Sequence, residues 1–254
     1  MIRVIVHGCS GVMGQAVVKM VQDDPDMEIA AGIDPRGAGE SEFPVYKNIA
    51  DCKEAADVII DFSTAGAIDS LLSYCEERKL SVVLCTTGLS EEQLRHISGT
   101  SAKTAVLKSA NMSLGINLLM KLLKEAAEVL GPADYDVEIV ERHHNRKLDA
   151  PSGTAISLAD AVNSGLERKY SYNYNRSGER KKREHDEIGI ASVRAGNIVG
   201  EHEVIFAGTD EIVEFKHTAC SRAVFAQGAV EAAKFLAGKA PGMYDMADVI
   251  ADRH

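Results

Sequence analysis

The chain's reactive side chains gather most densely between Arg142 and Lys147. Arg142-His143-His144-Asn145-Arg146-Lys147 places two arginines, two histidines and one lysine within six residues. Imidazoles titrate near neutral pH and Lys147 sets an ammonium beside them, so the segment can give or take a proton. Just beyond, Asp149-Ala150-Pro151-Ser152-Gly153-Thr154 runs into an expected helix start. Free N–H groups and the hydroxyls of Ser152 and Thr154 there suit an anion such as a carboxylate. Adjacent histidines do not share a helix face and no cysteine lies nearby, so no metal site is expected. The plain alternative is a solvated charged loop.

A second constellation opens the chain. Gly8-Cys9-Ser10-Gly11-Val12-Met13-Gly14 follows the apolar run Ile2–His7 and leads into residues with helical apolar spacing. Glycines in such a turn let backbone N–H groups approach a pyrophosphate at a helix N-terminus. Asp34 closes the next apolar run, where an acid would bind a ribose hydroxyl, and Arg36 follows two residues on, where it could pair with a 2′-phosphate. The pattern points to a dinucleotide, with a purely structural turn as the other reading. Asp61-Phe62-Ser63-Thr64 and Cys85-Thr86-Thr87-Gly88 end later strand-like runs, either as crevice residues or as helix caps.

These groups need elements to hold them. Up to about residue 112, short apolar runs (2–7, 28–33, 57–61, 81–84, 104–107) alternate with helical segments, the signature of a parallel sheet covered on both faces. After that, a helix over 114–130, a strand over 135–141, a helix from near Ser152 and strands over 188–194, 203–207 and 212–218 suggest an antiparallel or mixed sheet. The charged, tyrosine-rich stretch 167–187 reads as a long loop, and 223–236 as a helix. The expected architecture is α/β: one domain from 1–112 completed by 222–254, and a smaller α+β domain with an open mixed sheet over 113–221, carrying substrate binding and oligomerisation.

Composition excludes several classes. The 254 residues carry 28 Lys+Arg against 38 Asp+Glu, a net charge of −10, which disfavours nucleic acid and anionic membranes as partners. The run Arg180-Lys181-Lys182-Arg183 reads as a solvated loop or an oligomer contact. No apolar run reaches the length of a membrane span, and the N-terminus does not read as a signal peptide, so a cytoplasmic protein is expected. Five cysteines without a CxxC pair argue for reduced thiols.

Three segments resemble the 4-hydroxy-tetrahydrodipicolinate (dihydrodipicolinate) reductase family of the diaminopimelate route to lysine: 141–155, Ser109–Asn117 and Val193–His202. The resemblance covers nearly the whole chain. It implies a Rossmann-like first domain, NADH or NADPH as cofactor, a cyclic dicarboxylate substrate and a homotetramer. By position it implies His143 and Lys147 as the proton-transfer pair, and His144, Gly153 and Thr154 as substrate ligands. Gly8, Cys9, Ser10, Gly11, Val12 and Met13 would hold the diphosphate, and Asp34 the adenosine ribose. Cys85, Thr86, Thr87, Ser109, Ala110, Asn111 and Met112 would line the nicotinamide side. Cys85 stands where the family usually has glycine, and Val12 and Gln15 where many members have arginine. With that positive charge gone, NADH is the expected preference. Domain closure about Asn111 and Arg222 is expected. Rival readings are another nicotinamide-dependent reductase or dehydrogenase, such as one resembling diaminopimelate dehydrogenase, a non-catalytic NADH-binding sensor, and an interaction protein.

Overall fold

The computed structural model describes residues 1–37, 41–178 and 180–252. The chain runs β1 (Ile2–His7), α1 (Val12–Gln22), β2 (Met27–Ile33), β3 (Val45–Tyr46), β4 (Val58–Asp61), α2 (Ile68–Arg78), β5 (Ser81–Leu84), α3 (Glu91–Ser101) and β6 (Ala105–Lys108). It continues through α4 (Leu114–Leu130), β7 (Asp136–His143), α5 (Gly153–Gly165), β8 (Ser171–Asn173), β9 (Glu187–Arg194), β10 (Gly200–Ala207) and β11 (Ile212–Ala219). It ends with α6 (Ala223–Leu236), β12 (Gly242–Tyr244) and α7 (Met246–Ala251). Two compact units result, Met1–Leu114 with Ala223–His254, and Gly115–Arg222.

The first unit holds a parallel sheet in the order β12-β6-β5-β4-β1-β2-β3. Its strands are apolar on both faces because helices cover both. Val4, Val6, Val58 and Ile60 pack with Val17, Val21, Ala229 and Ala233 of α1 and α6. Ile5, Ile59 and Val82 pack with Leu71, Leu72 and Cys75 of α2. Successive strand residues point to opposite faces, which is why neighbours in one strand join different cores. The strand order reverses beside β1, and in such sheets a crevice opens outside the carboxyl ends of the strands.

The second unit holds the order β11-β10-β7-β9-β8, antiparallel from β11 to β7 and parallel from β7 to β8. Its register stacks inward-facing rows. Val213–Phe206–Val137–Ile188 and Phe215–Val204–Ile139–Ile190 are apolar and pack against α4 and α5. The next row, His217–His202–Glu141–Ser192, is polar, and beyond it His143 pairs with Arg194. One face therefore passes from hydrophobic core to ionisable groups within two residues of strand.

Rossmann-like α/β architecture with a second, mixed sheet is as the sequence suggested. The stretch 167–187 is not one long loop: β8 lies inside it, paired with β9. Three residues are too short to show a period. Nor is the basic run simply solvated. Arg183 is mostly buried and donates to Asp136, Glu138 and the carbonyls of Val137 and Glu187.

Candidate functional site

In the first unit the glycine turn has the shape a pyrophosphate loop needs. Gly8 sits at φ +82°, and a Cβ there would lie 2.5 Å from the Phe62 carbonyl oxygen. A Cβ at Gly14 would overlap the Gly8 carbonyl, so only glycine lets α1 start this close to β1. No side chain caps α1 at Gly11, which leaves its first N–H groups for another acceptor. Asp34 is buried at the end of β2; it accepts from the Ser10 N–H at 3.1 Å and from the Arg36 guanidinium at 2.9 and 3.1 Å. Arg36 holds the Asp34 carboxyl down at about 2 against the upward push of burial. Cys9 is buried against Gly32, whereas Val12 is exposed.

Met13, Cys85, Thr86, Thr87, Ser109, Ala110, Asn111 and Met112 line one cavity of about 480 Å³, with Phe62 and Phe225 among its other walls. Cys9, Ser10 and Arg36 border another of about 640 Å³, beside Gln15 and Lys19. Burial, with the charge of Asp61 adding to it, pushes the Cys85 thiol well above its usual range, so it lines the cavity as a neutral group. Cys85 does not adopt a positive φ, whereas Gly88 does, at +73°, so the turn tolerates cysteine at position 85. Under this cavity lies a pair the sequence reading passed over. Asp61, fully buried, has His7 Nδ1 2.9 Å away and accepts from the Thr86 hydroxyl at 2.7 Å and the Ser63 N–H at 3.2 Å.

In the second unit His143 ends β7 and Lys147 follows in the loop. His143 Nδ1 lies 2.6 Å from Glu141 Oε2. Glu141 also accepts both Arg194 Nη atoms, at 2.8 and 2.7 Å, and the Ser152 N–H at 3.1 Å. Burial pushes this carboxyl up, but Arg194, His143 and Ser192 outweigh it and bring it to about 2. Lys147 Nζ lies 2.8 Å from Asp149 Oδ1. Desolvation, with Arg146, Arg222, His143 and Lys147 adding charge, lowers His144, whose Nδ1 is buried without a partner. The neighbouring cations Arg146, Arg222 and Lys147 set a positive field there, which favours an anion.

Gly153 and Thr154 open α5. The Ser152 hydroxyl does not point at a ligand, as the sequence suggested: it accepts from the Ala155 N–H and meets His202 Nε2 at 2.9 Å. It is spent as the helix cap, the common use of serine at that position. His202 is buried edge-on to His143 at 5.1 Å and is lowered to about 3, by desolvation first and the charge of His143 second. Glu141, Arg194 and His202 lie in the segments that carry the family resemblance, but the sequence reading assigned them no role of their own. Strand alternation held the clue, since Glu141 and His143 are two residues apart on one face. Among the described residues no group of three or more His, Cys, Asp or Glu is placed to hold a metal ion, and no helix is long and apolar enough to cross a membrane.

Residues 2–112 match the family described as "Dihydrodipicolinate reductase, N-terminus" and residues 115–250 the one described as "Dihydrodipicolinate reductase, C-terminus". The chain belongs to the dihydrodipicolinate reductase family. It is 50% identical to the 4-hydroxy-tetrahydrodipicolinate reductase of Caldanaerobacter subterraneus subsp. tengcongensis, over 98% of each chain. It is 49% identical to that of Clostridium novyi, over 100% of each. The dipicolinate-bound dihydrodipicolinate reductase of Paenisporosarcina sp. TG-14 superposes with a TM-score of 0.81 at 27% identity, covering 96% of this chain and 97% of that one. Corynebacterium glutamicum DAP dehydrogenase is similar in fold alone, at TM-score 0.55 and 16% identity, over 96% and 92% of the two chains. The family resemblance read from the three sequence segments is thus borne out across both halves.

Proposed function

We propose that the protein is a 4-hydroxy-tetrahydrodipicolinate reductase in the diaminopimelate route to lysine. It reduces the dehydrated cyclic dicarboxylate derived from 4-hydroxy-tetrahydrodipicolinate to tetrahydrodipicolinate. The observation that carries the reading is the ordered His143–Glu141–Arg194 group beside Lys147 and the start of α5, in a chain whose two halves both match the family. A non-catalytic NADH sensor needs no such proton-transfer group.

A nicotinamide, when bound, supplies hydride to the ring C4 of the substrate. The glycine turn Gly8–Met13 receives the diphosphate on uncapped N–H groups, and Asp34 the ribose hydroxyls. Thr86, Thr87 and Ser109–Met112 with Cys85 shape the cavity for the nicotinamide end. Reduction builds negative charge on the conjugated imine, so the positive field around His144 and Lys147 lowers the barrier. Lys147 or His143 delivers the proton to C3, while His144 and the Gly153 and Thr154 N–H groups hold a carboxylate. Lys147 must exchange Asp149 for substrate as it does so.

NADH and NADPH both serve, with NADH preferred. The enzyme is a cytoplasmic homotetramer, assembled through the outward face of the second sheet, where Val193 and Ile212 are exposed. Light scattering at micromolar concentration should return four chains, and a monomeric mass would refute the assembly. The function itself is tested by following NADH oxidation with and without the product of the preceding synthase. Substrate-dependent oxidation is expected; NADH binding without turnover would select the sensor.

A further inference from the structure

Glu141 is a carboxylate with no exposure at all: Arg194 gives it two donors, the Ser152 backbone one and the Ser192 side chain another, and His143 Nδ1 lies against it. An ionised carboxylate can only accept hydrogen bonds. The 2.6 Å contact therefore requires the proton to sit on His143 Nδ1. We propose that Glu141, clamped by Arg194, is a positioning residue that holds His143 as the Nδ1–H tautomer and so makes Nε2 the nitrogen that exchanges protons during reduction. This rests on the assignment of His143 to proton transfer.

Two further contacts fit that role. A Cβ built on Gly200 would lie 3.1 Å from His143 Nε2, so glycine keeps that edge of the ring uncrowded. Arg194 Nη2 also donates to the Asp149 carbonyl at 2.6 Å, and the Asp149 side chain holds Lys147. One guanidinium thus fixes the histidine through Glu141 and steadies the loop that bears the lysine. Second partners of this kind set the tautomer and orientation of functional histidines elsewhere, at large kinetic cost when removed.

The first test needs no turnover. Nitrogen-15 histidine NMR of the full-length protein, with His143→Gln to assign the signals, should show neutral His143 protonated at Nδ1 and bare at Nε2. A dominant Nε2–H form would overturn the proposal. In Glu141→Gln, Arg194 will draw the amide oxygen, turning the amide NH₂ toward His143. Nδ1 must then accept, and the proton moves to Nε2. We expect kcat to fall by about 10²-fold or more while KM for the cyclic dicarboxylate barely moves, with the pH profile altered. Near wild-type kcat with a shifted tautomer would overturn the proposal.

If Glu141→Gln does not fold, Gly200→Ala leaves the Glu141–Arg194 pair intact and crowds the Nε2 edge of the ring. It should lower kcat by about 10-fold at unchanged tautomer, and wild-type kcat would count against Nε2 as the exchanging atom. Failure of the underlying assignment looks different. His143→Gln would then keep full turnover, or the wild-type protein would show none, while the tautomer stayed as expected.

Discussion

Both sheets end in a buried carboxylate set beside a histidine, yet the two pairs are built differently. In the first unit His7 and Asp61 are direct neighbours on adjacent parallel strands, and the donors to Asp61 are the Thr86 hydroxyl and the Ser63 N–H. Those donors belong to the turns after β4 and β5, so the carboxylate organises loops. In the second unit Glu141 and His143 share one strand, and the carboxylate is neutralised by a forked arginine from β9. Its donors orient a ring. A buried carboxylate can thus act as a joint between turns or as a clamp on one side chain, and the identity of its donors decides which.

If that distinction is right, variants in the two units should separate chemistry from cofactor binding. Lys147→Ala and His143→Gln should each lower turnover by about 10²-fold or more, the scale of lost acid–base catalysis, with NADH affinity nearly unchanged. Stopped-flow turnover beside NADH titration measures both. Near wild-type turnover for Lys147→Ala would remove its role, and a loss of NADH affinity would make the loop structural.

Thr86→Val tests the other side. It leaves a buried oxygen of Asp61 without its 2.7 Å donor, at a cost of about 1–3 kcal/mol. We expect a melting temperature lower by several degrees and weaker NADH binding, with turnover at saturating NADH largely kept. A selective loss of turnover at full cofactor affinity would erase the contrast between the two pairs.

Much of this was legible in the sequence where the signal is local. The glycine turn, the buried strands of the first sheet and the helices at 114–130 and 223–236 all show in period and punctuation. The short strands β3, β8 and β12 did not, because two or three residues carry no period and their pairing is decided by neighbours distant in the chain. The same holds within the site. His143 and Lys147 stood out as a cluster, but Arg194 and His202 reach Glu141 and Ser152 only through the register of β9 and β10 with β7. Asp61 and His7 lie 54 residues apart in sequence and meet for a similar reason.

Acid should distinguish the units further. His202 titrates at about 3 when folded against 6.5 for a free imidazole, so the unfolded chain binds the extra proton first. Stability is complete above pH 6.5 and falls as pH drops towards 3, by at most about 1.4 kcal/mol per pH unit from this group. Glu141, at about 2 against 4.5, adds a loss that begins only below pH 4.5. In the first unit Asp34, at about 2 against 3.8, contributes nothing until lower still. Hydrogen exchange at pH 5 should therefore show β10 and β7 opening more readily than at pH 7, while β1 and β4 hold. In His202→Gln the change between pH 7 and pH 5 should shrink. An equal weakening of both sheets would contradict the assignment.

The smallest expected effect concerns cofactor choice, and it depends on a single fork. Arg36 places two donors on Asp34, and Asp34 is buried while the Arg36 side chain is 66% exposed. The arginine is therefore the member free to move. With NADH, the ribose hydroxyls can donate to Asp34 while Arg36 stays or leaves. With NADPH, the 2′-phosphate meets the Asp34 charge, a repulsion of about 1 kcal/mol even in well-solvated surroundings, and Arg36 must turn from carboxylate to phosphate to offset it. Pro35 stiffens that turn, and neither Val12 nor Gln15 brings a second cation. Arg36→Ala should then weaken NADPH more than NADH, by a few-fold. Asp34→Ala should weaken NADH and relieve NADPH. Titrating both cofactors against both variants decides the matter: equal losses of the two cofactors in Arg36→Ala would remove Arg36 from the site and leave Asp34 to discriminate alone.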